Sequence, residues 1–232
     1  MTRLLLAVGW GLLGALAGVG INHFNRWQVS VENRFARRHD EPLLEHELRP
    51  WETWLAPALT AVLFAVFAWQ VGFGRVLVID SLYAAVLAQV FTFDLKHRYI
   101  LDVVILPAAG LALLLAFLTP WSPGSWPAPD WRTALVAALI AGAVFAVLFF
   151  IGTWLLGQEA FGFGDVKLAV FIGMATGLSN LRMVHALLAG VYLGGAVAII
   201  LLLTRRARLK QAVPYAPFLV AGTVLTLLLQ QP

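Results

Sequence analysis

The sequence contains no cysteine, and only 12% of its 232 residues are charged. The first absence excludes disulfides, a thiol nucleophile and any zinc site held by cysteine. The second argues against a soluble domain, in which about a quarter of the residues are charged. Because 61% of the residues are hydrophobic, the chain has more apolar surface than a soluble core of its size can bury. The lipid bilayer is therefore the predicted solvent for most of the chain.

The alternation of apolar and polar residues that a membrane barrel requires is also lacking. Apolar runs long enough for a spanning helix, roughly 20 residues, recur instead. The sequence thus predicts an all-α, polytopic membrane helix bundle with about eight transmembrane helices, forming one membrane domain over residues 1–232. The predicted spans are residues 3–21, 54–71, 76–93, 99–119, 131–156, 166–179, 182–203 and 213–230. The first run could instead be a signal peptide, because Arg3 precedes a leucine-rich stretch.

The formal net charge of +4 indicates basic loops rather than a nucleic-acid partner. Residues 22–53 form the predicted short cytoplasmic segment, with a short amphipathic helix lying on the inner leaflet. With that segment inside, all 16 lysines and arginines fall on the cytoplasmic side except Arg3, Arg75, Arg132 and Arg182. This bias predicts a multi-pass protein of the inner (cytoplasmic) membrane with both termini outside.

Few carboxylates lie near the predicted spans. We expect Asp80 to be a solvated residue near the outer interface, Asp130 to cap the fifth span, and Glu159 to lie in a loop. Asp94 and Asp165 differ, because they sit at the predicted cytoplasmic ends of the third and sixth spans. A carboxylate near hydrocarbon costs several kcal/mol unless it is paired, hydrated or protonated, so both are candidates for function.

Two carboxylates in a partly dry site cannot both ionise easily, so one keeps its proton. The ionised carboxylate can then take a proton from water while the other donates a proton to a scissile carbonyl. This chemistry predicts an aspartic peptidase that needs no metal or cofactor for proteolysis. The alternative is a membrane transporter in which Asp94 and Asp165 relay protons or bind a cation.

Asp165 lies within the stretch FGFGDVKLAVFIGMATG, residues 161–177. We expect Gly162 and Gly164 to allow a backbone turn that other residues would resist. Asp165 would then open the sixth helix, where the helix dipole favours its anionic form. The four residues GFGD, 162–165, would also fit a glycine turn followed by a capping aspartate that has no catalytic role.

With these motifs the sequence resembles the prepilin peptidases, or type IV leader peptidases, which are membrane aspartic proteases of the GxGD type. GFGDVKLAVFIGMATG is similar to the second aspartate motif of that family, and FDLKHRYILDVVILP is similar to the first. Weaker matches are RPWETWLAPALTAVLF (49–64), GVGINHFNRW (18–27) and VPYAPFLVAG (213–222), the last with Pro214, Pro217 and Phe218 in place.

The resemblance implies that Asp94 and Asp165 are the catalytic pair of a peptidase core over residues 94–230. Asp102 matches a further acidic position of the family, where it would order the turn or cap the fourth helix. Lys167 matches the lysine after GxGD and would bias the local electrostatics. The implied substrates are the N-terminal leaders of type IV pilin or pseudopilin precursors, cut at the cytoplasmic membrane face. An archaellin-like leader peptide is the alternative substrate.

The sequence departs from the family pattern in two places. Leu101 stands where the family usually has a proline. The segment 22–53 lacks the insert with four cysteines that holds zinc in many bacterial members, so we expect no zinc and no other metal site. Its absence counts against methylation of the new N-terminus with S-adenosylmethionine, although the peptidase assignment does not depend on it.

Overall fold

A computed structural model describes residues 2–39, 42–45, 49–118, 130–156, 162–204 and 215–229. Over these residues the chain is helical and contains no strand. The helices are α1 (Thr2–Ala36), α2 (Pro50–Val71), α3 (Arg75–His97), α4 (Asp102–Leu118), α5 (Trp131–Leu156), α6 (Phe163–Thr176), α7 (Arg182–Leu203) and α8 (Ala216–Leu229). A short 3-10 turn, Ser179–Leu181, joins α6 to α7.

The apolar helices confirm the predicted all-α membrane bundle. Five helical stretches in the described residues are long and apolar enough to cross a bilayer; they comprise α1, α2, α3, α5 and the region Ser179–Leu201. Two shorter apolar helices, α4 and α8, accompany them. Large apolar side chains on these helices are exposed, which is expected where lipid rather than water surrounds the protein.

The first helix differs from its prediction, because α1 does not end near residue 21 but continues to Ala36. A separate amphipathic helix within the first part of segment 22–53 is therefore a wrong prediction. At 1.5 Å per residue, the 35 residues of α1 extend over about 52 Å, beyond a hydrocarbon core of about 30 Å. The polar residues that follow Ile21 therefore belong to α1, which is longer than the hydrocarbon core of a bilayer is thick.

The described contacts divide the chain into two compact units, Met1–Arg98 and Tyr99–Pro232. In the first unit α1 and α2 pack closely where the small residues Gly14 and Gly18 of α1 meet α2. A Cβ on Gly18 would lie 2.4 Å from the Cα of Pro57, and Thr60 donates its hydroxyl to the carbonyl of Gly14 at 2.6 Å. Side chains of α3 complete this unit, where Trp10 donates to the hydroxyl of Ser81 at 2.8 Å.

The second unit is arranged around α6, which contacts α4, α5, α7 and α8. Most of its residues are buried, which explains how a helix of 14 residues belongs to a membrane bundle without spanning it alone. Close approach depends on glycine at two crossings. A Cβ on Gly173 would lie 2.7 Å from the carbonyl oxygen of Ala137, and a Cβ on Gly222 would lie 2.3 Å from the backbone nitrogen of Gly190.

Candidate active site

Asp94 lies in the last turn of α3, and 5% of its surface is exposed. The helix ends at His97, after which Arg98 adopts a left-handed conformation with φ 53° and donates its N–H to the Asp94 carbonyl at 2.8 Å. Within the part of the chain that the structure describes, Oδ2 of Asp94 has no hydrogen-bond partner. Because burying a carboxylate oxygen in this way costs free energy, the position is a candidate for function.

Asp165 lies in the first turn of α6, as predicted, and 6% of its surface is exposed. Its N–H donates to the carbonyl of Gly162 at 2.9 Å, which fixes the start of the helix. Tyr215, just before α8, is close enough to Asp165 for the two groups to interact electrostatically. The dipole of α6 favours the ionised form of a carboxylate at this end.

The two glycines before Asp165 do not serve the purpose that the sequence suggests. Gly162 precedes α6 with φ −70° and ψ 142°, which any residue can adopt, and Gly164 is already part of the helix. Neither has a positive φ. Gly164 is needed for close packing instead, because its Cβ would lie 2.9 Å from the Cβ of Ile100. The predicted glycine turn is thus corrected to a tight contact between α6 and the segment before α4.

Asp102 and Lys167 form an ion pair between the start of α4 and the start of α6. Lys167 also lies over the ring of Phe163, with its Nζ 5.1 Å from the ring centroid. Asp102 is the first residue of α4, whereas the carbonyl of Leu101 accepts the N–H groups of Val104 and Ile105. The sequence predicts that Asp102 orders the turn or caps α4, but the side-chain contact that the structure describes is instead its ion pair with Lys167 of α6.

Asp80 contradicts its prediction as a solvated residue, because none of its surface is exposed. Its place near one end of a span did not reveal that α3 is among the more buried helices. Asp130 confirms its prediction as a cap, since its Oδ1 accepts the N–H groups of Arg132 at 2.9 Å and Thr133 at 3.3 Å. Glu159 and Pro214 lie outside the described residues.

A polar cluster in the first unit was missed by the sequence analysis. The side chains of Lys96 and Glu52 form a buried ion pair, 3.2 Å apart. Gln89 donates to the side chains of Asn25 at 3.1 Å and Gln28 at 3.0 Å.

Asn22 lies in the same part of α1 as Asn25 and Gln28, and its side-chain amide donates to the backbone carbonyl of Glu52 at 3.0 Å. A small pocket opens beside this cluster, with Arg26 and His97 in its lining. The spacing of Asn22, Asn25 and Gln28 by three residues places them on one face of a helix, and was the available signal in the sequence.

Asp94 belongs to the first unit and Asp165 to the second. Their pairing stays a prediction. Among the described residues, no three or more histidine, aspartate or glutamate side chains are grouped as metal ligands.

Comparison with known proteins matches the chain to a peptidase family and to several individual proteins. The model of the type IV leader peptidase family matches residues 81–203, which include Asp94, Asp102, Asp165 and Lys167. The chain is 28% identical over 169 residues to the prepilin leader peptidase/N-methyltransferase of Pseudomonas putida, which covers 72% of this chain and 55% of that protein. It therefore spans little more than half the length of that relative.

Two further relatives are shorter matches. The chain is 32% identical over 143 residues to leader peptidase HopD of Escherichia coli, covering 61% of this chain and 86% of that protein. It is also 35% identical over 99 residues to MFS siderochrome iron transporter 1 of Ajellomyces capsulatus, covering 41% of this chain and 16% of that protein. No solved structure matches the chain.

Proposed function

This chain belongs to the type IV leader peptidase family, and we propose that it is a membrane endopeptidase that removes the N-terminal leader of type IV pilin or pseudopilin precursors. Its relative in Pseudomonas putida is a prepilin leader peptidase/N-methyltransferase and its relative in Escherichia coli is a leader peptidase, which supports this substrate class. The observation that carries the proposal is the family match over residues 81–203, within which two buried aspartates sit at the ends of apolar helices.

We assign the catalysis to Asp94 and Asp165. One carboxylate takes a proton from a water molecule while the water oxygen attacks the scissile carbonyl carbon. The protonated carboxyl gives its proton to the carbonyl oxygen, and a tetrahedral diol forms. The carboxylate that gave up its proton then takes one from a diol hydroxyl as the C–N bond breaks, and the amide nitrogen leaves with the proton of the carboxyl that had gained one. Both carboxylates return to their starting forms, with one proton between them.

The proposed site lies at the cytoplasmic face of the inner membrane. Asp94 is followed by Lys96 and Arg98, and Asp165 is followed by Lys167. Basic residues next to spans favour the cytoplasmic side. Both aspartates lie at helix ends, which suits cleavage at the membrane surface.

The proposal covers leader removal and not methylation. The relative in Pseudomonas putida is also named an N-methyltransferase. Many bacterial members of the family that this sequence resembles hold zinc on four cysteines and methylate the new N-terminus. This sequence has no cysteine to supply such a site. We therefore propose an unmethylated product.

The experiment combines purified protein, a pilin-type precursor and S-adenosylmethionine, with products identified by mass spectrometry. Asp94→Asn and Asp165→Asn should each lose at least about a hundredfold in cleavage rate, the scale of a lost acid or base. Asp80→Asn is the matched control, because Asp80 is a buried acid of the same helix outside the proposed pair. Cleavage that persists in Asp165→Asn would contradict the assignment. A product heavier by one methyl group would show that methylation had been retained.

The transporter alternative has one observation in its favour, the match to an iron transporter. That match covers 16% of the transporter, and apolar helices share residue types whatever their function. Uptake of a cation into vesicles that depends on Asp165, without cleavage of any precursor, would favour this alternative. The same cleavage assay with an archaellin-type precursor tests the alternative substrate, an archaellin-like leader peptide.

A further inference from the structure

The same short pattern follows both proposed catalytic aspartates. Asp94-Leu95-Lys96 ends α3, and Asp165-Val166-Lys167 begins α6. In each unit the lysine forms an ion pair with an acid in the first turn of another helix of that unit. We infer that Lys96 and Lys167 are positioning residues, and that each ion pair fixes the rotation of a helix end and so the direction of its aspartate. This inference rests on the proposed function.

In the first unit the partner of Lys96 is itself held in place. The lysine Nζ lies 3.2 Å from both carboxylate oxygens of Glu52, and the two side chains are 5% and 7% exposed. Glu52 is in the first turn of α2. Its backbone carbonyl accepts the amide of Asn22 from α1 at 3.0 Å. The end of α3 is thereby fastened to two other helices.

In the second unit Lys167 has contacts on two sides. Its Nζ pairs with Asp102 at the start of α4 and lies over the ring of Phe163. One turn away, Gly164 packs closely against Ile100, which precedes α4. The start of α6 is thus held by an ion pair with the first residue of α4 and by a tight apolar contact with the segment just before α4.

The spacing of two residues explains how such a contact can orient an aspartate. Residues two apart on an α-helix point about 200° apart around the axis, so they do not share a face. A lysine held on one side directs the aspartate to nearly the opposite side.

The first test measures kcat and KM for cleavage of the precursor. Lys96→Met and Lys167→Met should each lower kcat by about tenfold to a hundredfold with little change in KM, because a small misplacement of a catalytic group costs rate. The exchanged pair Lys167→Asp with Asp102→Lys, and the conservative Lys167→Arg, should recover most of the loss. Arg49→Met is the control, because Arg49 pairs with Glu45 on the surface, outside the proposed site.

If the wild-type protein cleaves the precursor and all lysine variants keep its kcat, the inference is overturned while the proposed function stands. If the wild-type protein cleaves nothing, the proposed function fails, and a second measurement still decides the inference. The chain has no cysteine, so a single Asp165→Cys substitution gives one thiol whose rate of labelling by a water-soluble maleimide can be followed.

The labelling rate separates positioning from simple electrostatics. Without any change in geometry, removing the Lys167 charge would raise the thiol pKa and slow labelling, whereas Asp102→Asn would lower it and speed labelling. Loss of positioning exposes the buried site in both cases, so we expect both variants to label several-fold faster. Opposite changes, or no change, would overturn the inference. Asp94→Cys with Lys96→Met or Glu52→Gln repeats the test in the first unit.

Discussion

The two units hold their aspartate-bearing helix ends with similar ion pairs in different surroundings. The side chains of Lys96 and Glu52 are 5% and 7% exposed, whereas those of Lys167 and Asp102 are 26% and 53% exposed. Removing one partner of a buried pair leaves an uncompensated charge and costs about 3–5 kcal/mol, but an exposed pair contributes about 0–1 kcal/mol. The Lys96–Glu52 pair therefore stabilises the fold of its unit and also orients Asp94. The Lys167–Asp102 pair contributes little to stability and orients the start of α6.

The largest effect that separates the two pairs is on stability. Lys96→Met should lower the free energy of unfolding by about 3–5 kcal/mol, because Glu52 stays buried without its partner. Lys167→Met should cost less than about 1 kcal/mol, because water screens Asp102. Denaturation of both variants in the same detergent measures the difference.

A double variant tests the reason for that difference. Replacing both Lys96 and Glu52 by methionine removes the charges together and should restore much of the lost stability. Equal losses in Lys96→Met and Lys167→Met, or a double variant no more stable than Lys96→Met, would contradict the contrast between the units.

The next effect should be alike in the two units, because both contain helix crossings that only glycine permits. Gly18→Ala would place a Cβ 2.4 Å from Pro57, and Gly222→Ala would place one 2.3 Å from Gly190. Each should cost about 1–3 kcal/mol, as overpacking does. Gly20→Ala is the control on α1, because among the described residues no atom outside the adjoining backbone of its own helix lies within 4 Å of the added Cβ. A control that destabilises as much as Gly18→Ala would refute the packing explanation.

The smallest effect concerns the cap of α5. Burial acts to raise the pKa of Asp130, but hydrogen bonds from Thr133 and Arg132 outweigh it and hold this pKa below its ordinary value. The contribution of the Asp130 carboxylate to the free energy of unfolding is therefore fully present above the ordinary carboxyl pKa of about 3.9. It is lost as the pH falls through the lowered pKa. Asp130→Ala should cost about 1 kcal/mol at neutral pH. Unfolding measured at falling pH should show the gap to wild type closing, and a constant gap would contradict this account.

The sequence predicted the helices best where apolar runs end at clear signals. The bounds of α5 and α7 agree with the predicted spans 131–156 and 182–203. The predicted end of α1 was wrong because the polar residues after the apolar run were taken to mark the end of the helix. Asn22 and Gln28 are polar yet buried, and their amides bond to other parts of the first unit, so the helix continues through them.

The candidate site was predicted in position but not in its contacts. Asp94 and Asp165 lie at helix ends, as their place in the apolar pattern indicates. Their lysine neighbours were visible in the sequence, but the acids that bind them are 44 and 65 residues away. Asp80 failed for a related reason, because a position along a span does not reveal which face of the helix is buried.

The proposal that Asp94 and Asp165 share one catalytic site is tested most directly by cross-linking. The double variant Asp94→Cys with Asp165→Cys would carry the only thiols in the chain. We predict that a short bifunctional thiol reagent joins α3 to α6, detected by mass spectrometry after proteolysis. Asp80→Cys with Asp165→Cys should not be joined, because Asp80 is about 21 Å from Asp94 along α3. If the thiols at 94 and 165 both react with a single-headed reagent but are never joined, the shared site is contradicted.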